Sequence, residues 1–159
     1  MSNTDNLFNH IRNGDSELVE KLLATDHKLL ESKDQRGSTS LLLAAYYGHG
    51  KLVELLLKKG AEVDAKDGSG NTALMGVCFK GYTDIAEQLI NAGANVNHIN
   101  AMGATCLIYA VTFNRQGIAK LLMEHGADAS IKDARGNTAL DYAQEQGMQP
   151  LVELLKKTK

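Results

Sequence analysis

The apolar residues of this chain are spaced for short amphipathic helices, and they come in pairs of runs. From Ser40, the positions Leu41, Ala44 and Ala45 follow a helical spacing that Gly48 stops after barely two turns. A second run follows at once, with Leu52, Val53, Leu56 and Leu57 on one side, and ends at Gly60, a glycine suited to the left-handed conformation that closes helices. The pattern returns every 33 residues. Sliding the sequence by that interval aligns Asp34, Asp67, Asn100 and Asp133, then Gly37, Gly70, Gly103 and Gly136, with no insertion to the end of the chain. Two further columns hold without exception: Thr39, Thr72, Thr105 and Thr138, and Leu41, Leu74, Leu107 and Leu140.

Each column has a physical role. An Asp or Asn that opens a four-residue segment closed by Gly predicts a type I turn, the side chain bonding ahead and the glycine relaxing the exit. The Thr two residues later predicts a helix N-cap, whose hydroxyl accepts a free helix N–H at about 1 kcal/mol per cap. The unit is therefore turn, short helix, second helix. Helices this short do not persist alone in water, so the units must stack and bury their stripes against one another.

The spacing predicts an all-α stack of five units, at 1–33, 34–66, 67–99, 100–132 and 133–159, forming one domain. The first carries Phe8, Ile11, Leu18, Val19, Leu22 and Leu23 in the core pattern, lacks one residue before Gly14 and has Asp26-His27-Lys28-Leu29-Leu30 in place of a Gly-Ala pair, which predicts an N-terminal cap. The last has Gln144 where inner units have Ala45, Cys78 and Val111, and Lys156 where they have Leu57, Ile90 and Met123, which predicts a polar C-terminal cap.

These units resemble the ankyrin repeat, a 33-residue β-turn plus two helices. The resemblance covers the whole chain and is plainest in Gly48-His49, Gly60-Ala61-Glu62-Val63-Asp64, Gly93-Ala94-Asn95-Val96-Asn97 and Gly126-Ala127-Asp128. There are departures. Where the family carries Pro the chain has Ser40, Ala73, Cys106 and Ala139, and where it carries His the chain has Leu42, Met75, Ile108 and Asp141. The family's His–Thr network between repeats is thus not expected here. The resemblance implies a solenoid whose first helices line a concave groove, and it places Asn97 where the family's asparagine hydroxylase acts.

Composition narrows the functional classes. Hydrophobic residues make up 43% and charged residues 23%, enough to bury a core. A net charge of −2 and a pI near 6.2 create no demand for nucleic acid or an anionic membrane, and the basic end Lys156-Lys157-Thr158-Lys159 reads as a solvated tail. Charged residues crowd the first thirty positions, and no segment approaches the roughly 20 apolar residues of a membrane span, so a cytoplasmic, monomeric protein is expected. Cys78 and Cys106 lie among aliphatic residues and are expected to be reduced.

No constellation for catalysis or metal binding stands out. His10, His27, His49, His98 and His125 are scattered, with no helical pair and no zinc spacing of cysteines. The run Asp64-Ala65-Lys66-Asp67-Gly68-Ser69-Gly70-Asn71 fails as a calcium loop, with Lys66, Gly68 and Met75 at ligand positions, and as a phosphate loop, with Asn71-Thr72 where Lys should follow. Aromatic and basic residues do not alternate as on a nucleic-acid platform. The chain is read as a non-enzyme without a cofactor.

What folding leaves free is the turn tips and the open face of each first helix, at the tenth, thirteenth and fourteenth residues of a unit. These read Tyr46-Tyr47, Phe79-Lys80, Thr112-Phe113 and Glu145-Gln146, with Tyr109 and Tyr142 at the tenth position. Aligned exposed aromatics mark protein-binding surfaces. The tips add Gln35, Arg36, Ser69, Met102 and Arg135; Met102 is expected to extend the apolar patch beside Phe113, and Arg36, Lys80 and Arg135 to rim it with positive charge. The sequence therefore predicts a module that holds a partner protein with an apolar, partly acidic surface. A steric inhibitor or regulator of an enzyme, an enzyme or ligand site within the groove, and a pure spacer remain the alternatives.

Overall fold

The structure is a computed structural model that describes residues 2–157; Met1 and the last two residues of the basic end, Thr158 and Lys159, lie outside it. Helices come in pairs: α1 (Asn3–Arg12) with α2 (Ser16–Thr25), α3 (Ser40–Tyr46) with α4 (Gly50–Lys58), and α5 (Ala73–Lys80) with α6 (Thr83–Asn91). Two further pairs follow, α7 (Cys106–Thr112) with α8 (Gln116–Glu124), and α9 (Ala139–Glu145) with α10 (Gln149–Lys156). A 3-10 helix, His27–Glu31, fills the place where later units have their Gly-Ala ending. Among the described residues the β content is one isolated antiparallel bridge, Lys33 with Thr39. The architecture is an all-helical solenoid.

The turn columns behave as their chemistry requires. Asp34 Oδ1 accepts the N–H groups of Arg36 and Ser38, Asp67 Oδ1 those of Ser69 and Asn71, Asn100 Oδ1 those of Met102 and Ala104, and Asp133 Oδ1 those of Arg135 and Asn137. Each turn closes with the glycine N–H donating to the carbonyl of its opening residue at 2.9–3.0 Å. Two residues on, Thr39, Thr72, Thr105 and Thr138 accept the N–H of Leu42, Met75, Ile108 and Asp141 and start the first helices. Asp141 returns the bond to the Thr138 N–H at 2.9 Å, completing a capping box.

Helices of seven to ten residues cannot stand alone, and stacking supplies their stability. The first helices pack side by side along the stack, α1 on α3, α3 on α5, α5 on α7 and α7 on α9, and the second helices do the same behind them. One continuous core results, running from Leu7 through Leu41, Leu74 and Leu107 to Leu155. The turns stack as well. The N–H groups of Gly68, Ala101 and Ala134 donate to the carbonyls of Arg36, Ser69 and Met102 on the preceding turn, each at 3.0 Å. This approach leaves no room for a side chain: a Cβ on Gly103, which sits at φ +74°, would lie 2.9 Å from the Ala134 backbone nitrogen. At Gly136, where no further turn follows among the described residues, a Cβ would meet nothing within 4 Å.

The bonds expected of a His–Thr network come from other residues. His49 Nε2 lies 3.0 Å from the Arg12 carbonyl and donates across a repeat boundary, while His98 Nε2, 2.9 Å from the Gly70 carbonyl, donates from the end of its unit back to that unit's own turn. Arg115 donates from Nε and Nη2 to the Phe79 carbonyl at 3.3 and 2.9 Å. Asn97 accepts the Asp128 N–H at 2.7 Å and donates to the Gly126 carbonyl at 3.2 Å. Ser40 breaks the rule of satisfied polar groups: its hydroxyl is buried and no partner reaches it among the described residues.

In the last unit the Tyr142 hydroxyl donates to Asp133 Oδ2. Burial pushes the Asp133 carboxyl upward, but the Tyr142 hydroxyl and the N–H groups of Asn137 and Arg135 outweigh it and hold the group below its ordinary value. The same bond raises the Tyr142 phenol.

Three outcomes follow from this packing. Gly103→Ala should cost at least about 2 kcal/mol, from left-handed strain and backbone collision, whereas Gly136→Ala should cost about 1 kcal/mol from strain alone; denaturant unfolding compares them. Ser40→Ala should stabilise by about 1 kcal/mol in the same assay, because an unpaired hydroxyl leaves the core. For Asp133, a depressed native value means a stabilising contribution present above the unfolded carboxylate range and lost as pH falls through the native value. Carboxyl carbon NMR should therefore show Asp133 titrating low in the native protein and returning toward its ordinary range in Tyr142→Phe, with a smaller loss of stability between pH 6 and pH 3, a window set by the ordinary carboxylate pKa of about 4.

Candidate protein-binding groove

The N-caps fix where each first helix begins and the core-facing Leu and Ala fix its rotation, so the tenth, thirteenth and fourteenth residues of a unit turn to the concave side. There the aromatic columns meet. Tyr46 and Phe79 lie with ring centroids 6.4 Å apart and planes within 3°, Phe79 meets Phe113 edge-on at 4.7 Å, and Tyr109 tilts against Phe113 at 6.3 Å. Tyr47 closes on Tyr46 at 5.8 Å. Despite these contacts Tyr46, Tyr47, Phe79 and Phe113 stay 39–44% exposed, so the ridge is an open surface and not part of the core. It lies along a groove of about 1180 Å³ that runs from α1 to α7.

The predicted site residues divide into two groups. Tyr46, Tyr47, Phe79, Phe113, Tyr109, Gln35 and Arg36 line this groove. Ser69, Lys80, Met102 and Arg135 do not, and Met102, although 64% exposed, is not brought into the lining beside Phe113. The turn-tip column is divided: Arg36 lines the groove, whereas Ser69, Met102 and Arg135, at the same position of later units, do not. Lys80 places its Nζ 5.0 Å above the Tyr46 ring and 6.0 Å from that of Tyr82, a cation–π position over the ridge. Tyr109 also holds a turn in place, because the Asn100 amide donates to its hydroxyl at 2.7 Å and to Asn71 Oδ1 at 2.8 Å.

Column reasoning missed the contribution of the first unit. Asn9 and Arg12 line the groove, as does Lys33. The signal was available: aligning Gly14 with Gly48, which absorbs the one-residue deletion, puts Arg12 in the column of Tyr46 and Phe79 and Asn9 in that of Leu43, Gly76 and Tyr109.

The electrostatics of the groove are uneven. Three carboxylates line it, Asp5, Asp34 and Asp67, of which Asp34 and Asp67 each accept two turn N–H groups while Asp5 is exposed on α1. Among the described residues the groove's cations form no ion pair: Arg12 donates to Asn9 Oδ1 at 3.2 Å, Lys33 Nζ stands 3.5 Å from the Lys66 carbonyl, and the ion pairs found there, Lys21–Glu17 and Lys59–Glu20, lie on the second helices or at their ends. Cys78 and Cys106 are buried free thiols away from the groove, and burial first, then the hydrogen bond with Cys106, pushes the Cys78 thiol well above its ordinary value. Among the described residues no group of three or more His, Cys, Asp or Glu is placed to hold a metal ion, and no helix is long and apolar enough to cross a membrane.

Comparison with known proteins agrees with the geometry. The family described as ankyrin repeats (3 copies) matches residues 7–100 and 74–159. Two curated relatives match a shorter segment. Oxysterol-binding protein-related protein 1 of Mus musculus is 43% identical over 67 residues, and that of Homo sapiens is 42% identical over 67 residues. Each alignment covers 36% of this chain and 7% of the relative, so the likeness reaches a small part of those proteins. A family match that spans nearly the whole chain, on helix pairs joined by stacked glycine turns, settles the classification: the chain belongs to the ankyrin repeat family.

Proposed function

We propose that this protein is a protein-interaction module that holds a partner in its concave groove and acts by occupying the partner's surface, without chemistry of its own. Ankyrin repeats are in general protein–protein interaction modules. The observation that carries the reading for this chain is the ridge Tyr46–Phe79–Phe113, in which the Phe79 ring meets both of the others while all three stay 39–40% exposed. A contiguous apolar surface on a folded domain needs a partner to cover it, and rigid aromatics bury much area at small entropic cost.

Tyr47, Tyr109, Gln35 and Arg36 extend the contact along the groove, and Lys80, Ser69, Met102 and Arg135 flank it at the edge and on the turn tips. The groove is an open trough along several repeats, which favours a macromolecular partner over a small substrate. The mild net charge of −2 and the missing basic stripe favour a protein over nucleic acid, and we place the module in the cytoplasm as a monomer. Bridging and steric inhibition of an enzyme are both forms of this occupation.

Replacing Tyr46, Phe79 and Phe113 together by Ala should lower partner recovery from a cell extract by about a hundredfold or more, at one to two kcal/mol per hot-spot ring, while helicity stays at the wild-type level. Unchanged recovery by a folded triple variant would support a spacer instead.

A further inference from the structure

Gly76 is a glycine that neither backbone nor packing asks for. It is the fourth residue of α5, has helical backbone and stands outside the set of glycines with positive φ. A Cβ built on it would come no closer to another side chain than 3.6 Å from Tyr46 Cδ1, an ordinary van der Waals distance. Glycine is among the poorest helix formers, so at this position local structure favours almost any other residue. The same column carries Asn9, Leu43, Tyr109 and Tyr142, all with side chains. What the glycine provides is space: an opening in the groove lining beside Tyr46, in a groove that Phe79, Tyr109 and Phe113 also line.

The surroundings limit what can enter. The walls are aromatic rings, which favour an apolar or a cationic side chain. The cationic position over Tyr46 is already held by Lys80 Nζ at 5.0 Å, so a second positive charge would meet repulsion there. Toward the first unit the groove presents Arg12, Lys33 and Arg36 beside the carboxylates Asp5, Asp34 and Asp67; Asp34 and Asp67 are turned to the N–H groups of their own turns, and the three exposed cations are not ion-paired among the described residues, which leaves them open to carboxylates of a partner. Resting on the groove reading above, we propose that the Gly76 notch is a specificity pocket that seats one large uncharged side chain, aromatic or long aliphatic, from an acidic segment of the partner protein whose carboxylates pair with Arg12, Lys33 and Arg36.

The test is selection of random peptides by display on the full chain, followed by fluorescence anisotropy of the selected peptides against wild type and the variants Gly76→Ala, Gly76→Leu, Arg36→Glu and Phe79→Ala. The expected peptides contain one Leu, Met, Phe, Tyr or Trp together with Asp or Glu. Gly76→Leu, which installs the side chain that Leu43 carries one repeat earlier, should weaken them by about tenfold or more, with Gly76→Ala intermediate. Both Gly76 variants should unfold about 2–4 °C higher than wild type, because the helix gains a better former, so lost binding cannot be lost folding. Arg36→Glu should weaken the acidic peptides severalfold and steepen at low salt.

Peptides that need Phe79 but bind Gly76→Leu as tightly as wild type would overturn the notch while leaving the groove reading standing. Peptides with a Lys or Arg anchor and no acidic residue would overturn the proposed chemistry. A selection that yields no peptide dependent on Phe79 would remove the groove reading and the notch with it.

Discussion

Every part of this molecule depends on the close approach of one repeat to the next. At the turns, backbone meets backbone: an N–H of each turn bonds the carbonyl of the one before it at 3.0 Å. That distance fixes the spacing of the stack, and it is kept by glycines on which a Cβ would strike the following backbone, as at Gly103. Because no helix pair buries its apolar stripe alone, the contact is both the source of stability and the constraint on sequence. The strict columns of Asp or Asn, Gly, Thr and Leu are the residues this constraint consumes.

What the constraint does not consume is arranged by it all the same. Repeating one helix orientation five times places unneeded columns side by side, and in the inner repeats those columns are aromatic. The rings of Tyr46, Phe79 and Phe113 touch because their helices are neighbours in the stack, not because the core requires them. The groove is thus a by-product of folding that the free positions turn into a chemical surface. Its gradation along the stack, from charged side chains that include the unpaired cations Arg12, Lys33 and Arg36 to aromatic rings toward Phe113, comes largely from residue choices that stacking leaves open.

Most of the fold was legible in the sequence because repetition multiplies weak local signals. One Asp-x-x-Gly-x-Thr segment is a poor predictor, but four in register predict turn, cap and helix start together, and the helices begin after Thr39, Thr72, Thr105 and Thr138 as expected. Legibility fell where the register broke. The deletion before Gly14 hid Asn9 and Arg12 from the column that would have placed them in the groove. Tertiary bonding was also beyond the pattern: that Tyr109 ties to Asn100, that Lys80 lies over Tyr46, and that Met102 stands away from the groove lining depend on side-chain direction, which spacing does not specify. Gly76 was visible as a letter but not as an opening until its neighbours were in place.

The central claim is that the partner protein lies on the concave face. The most direct measurement places a photo-crosslinking phenylalanine analogue once at Phe79 on the ridge and once at Glu87, an exposed residue of the outer helix α6, and irradiates each full-length protein in its native cells. The account predicts a discrete protein adduct from position 79 and none from position 87. An adduct from position 87 with none from position 79 would contradict it.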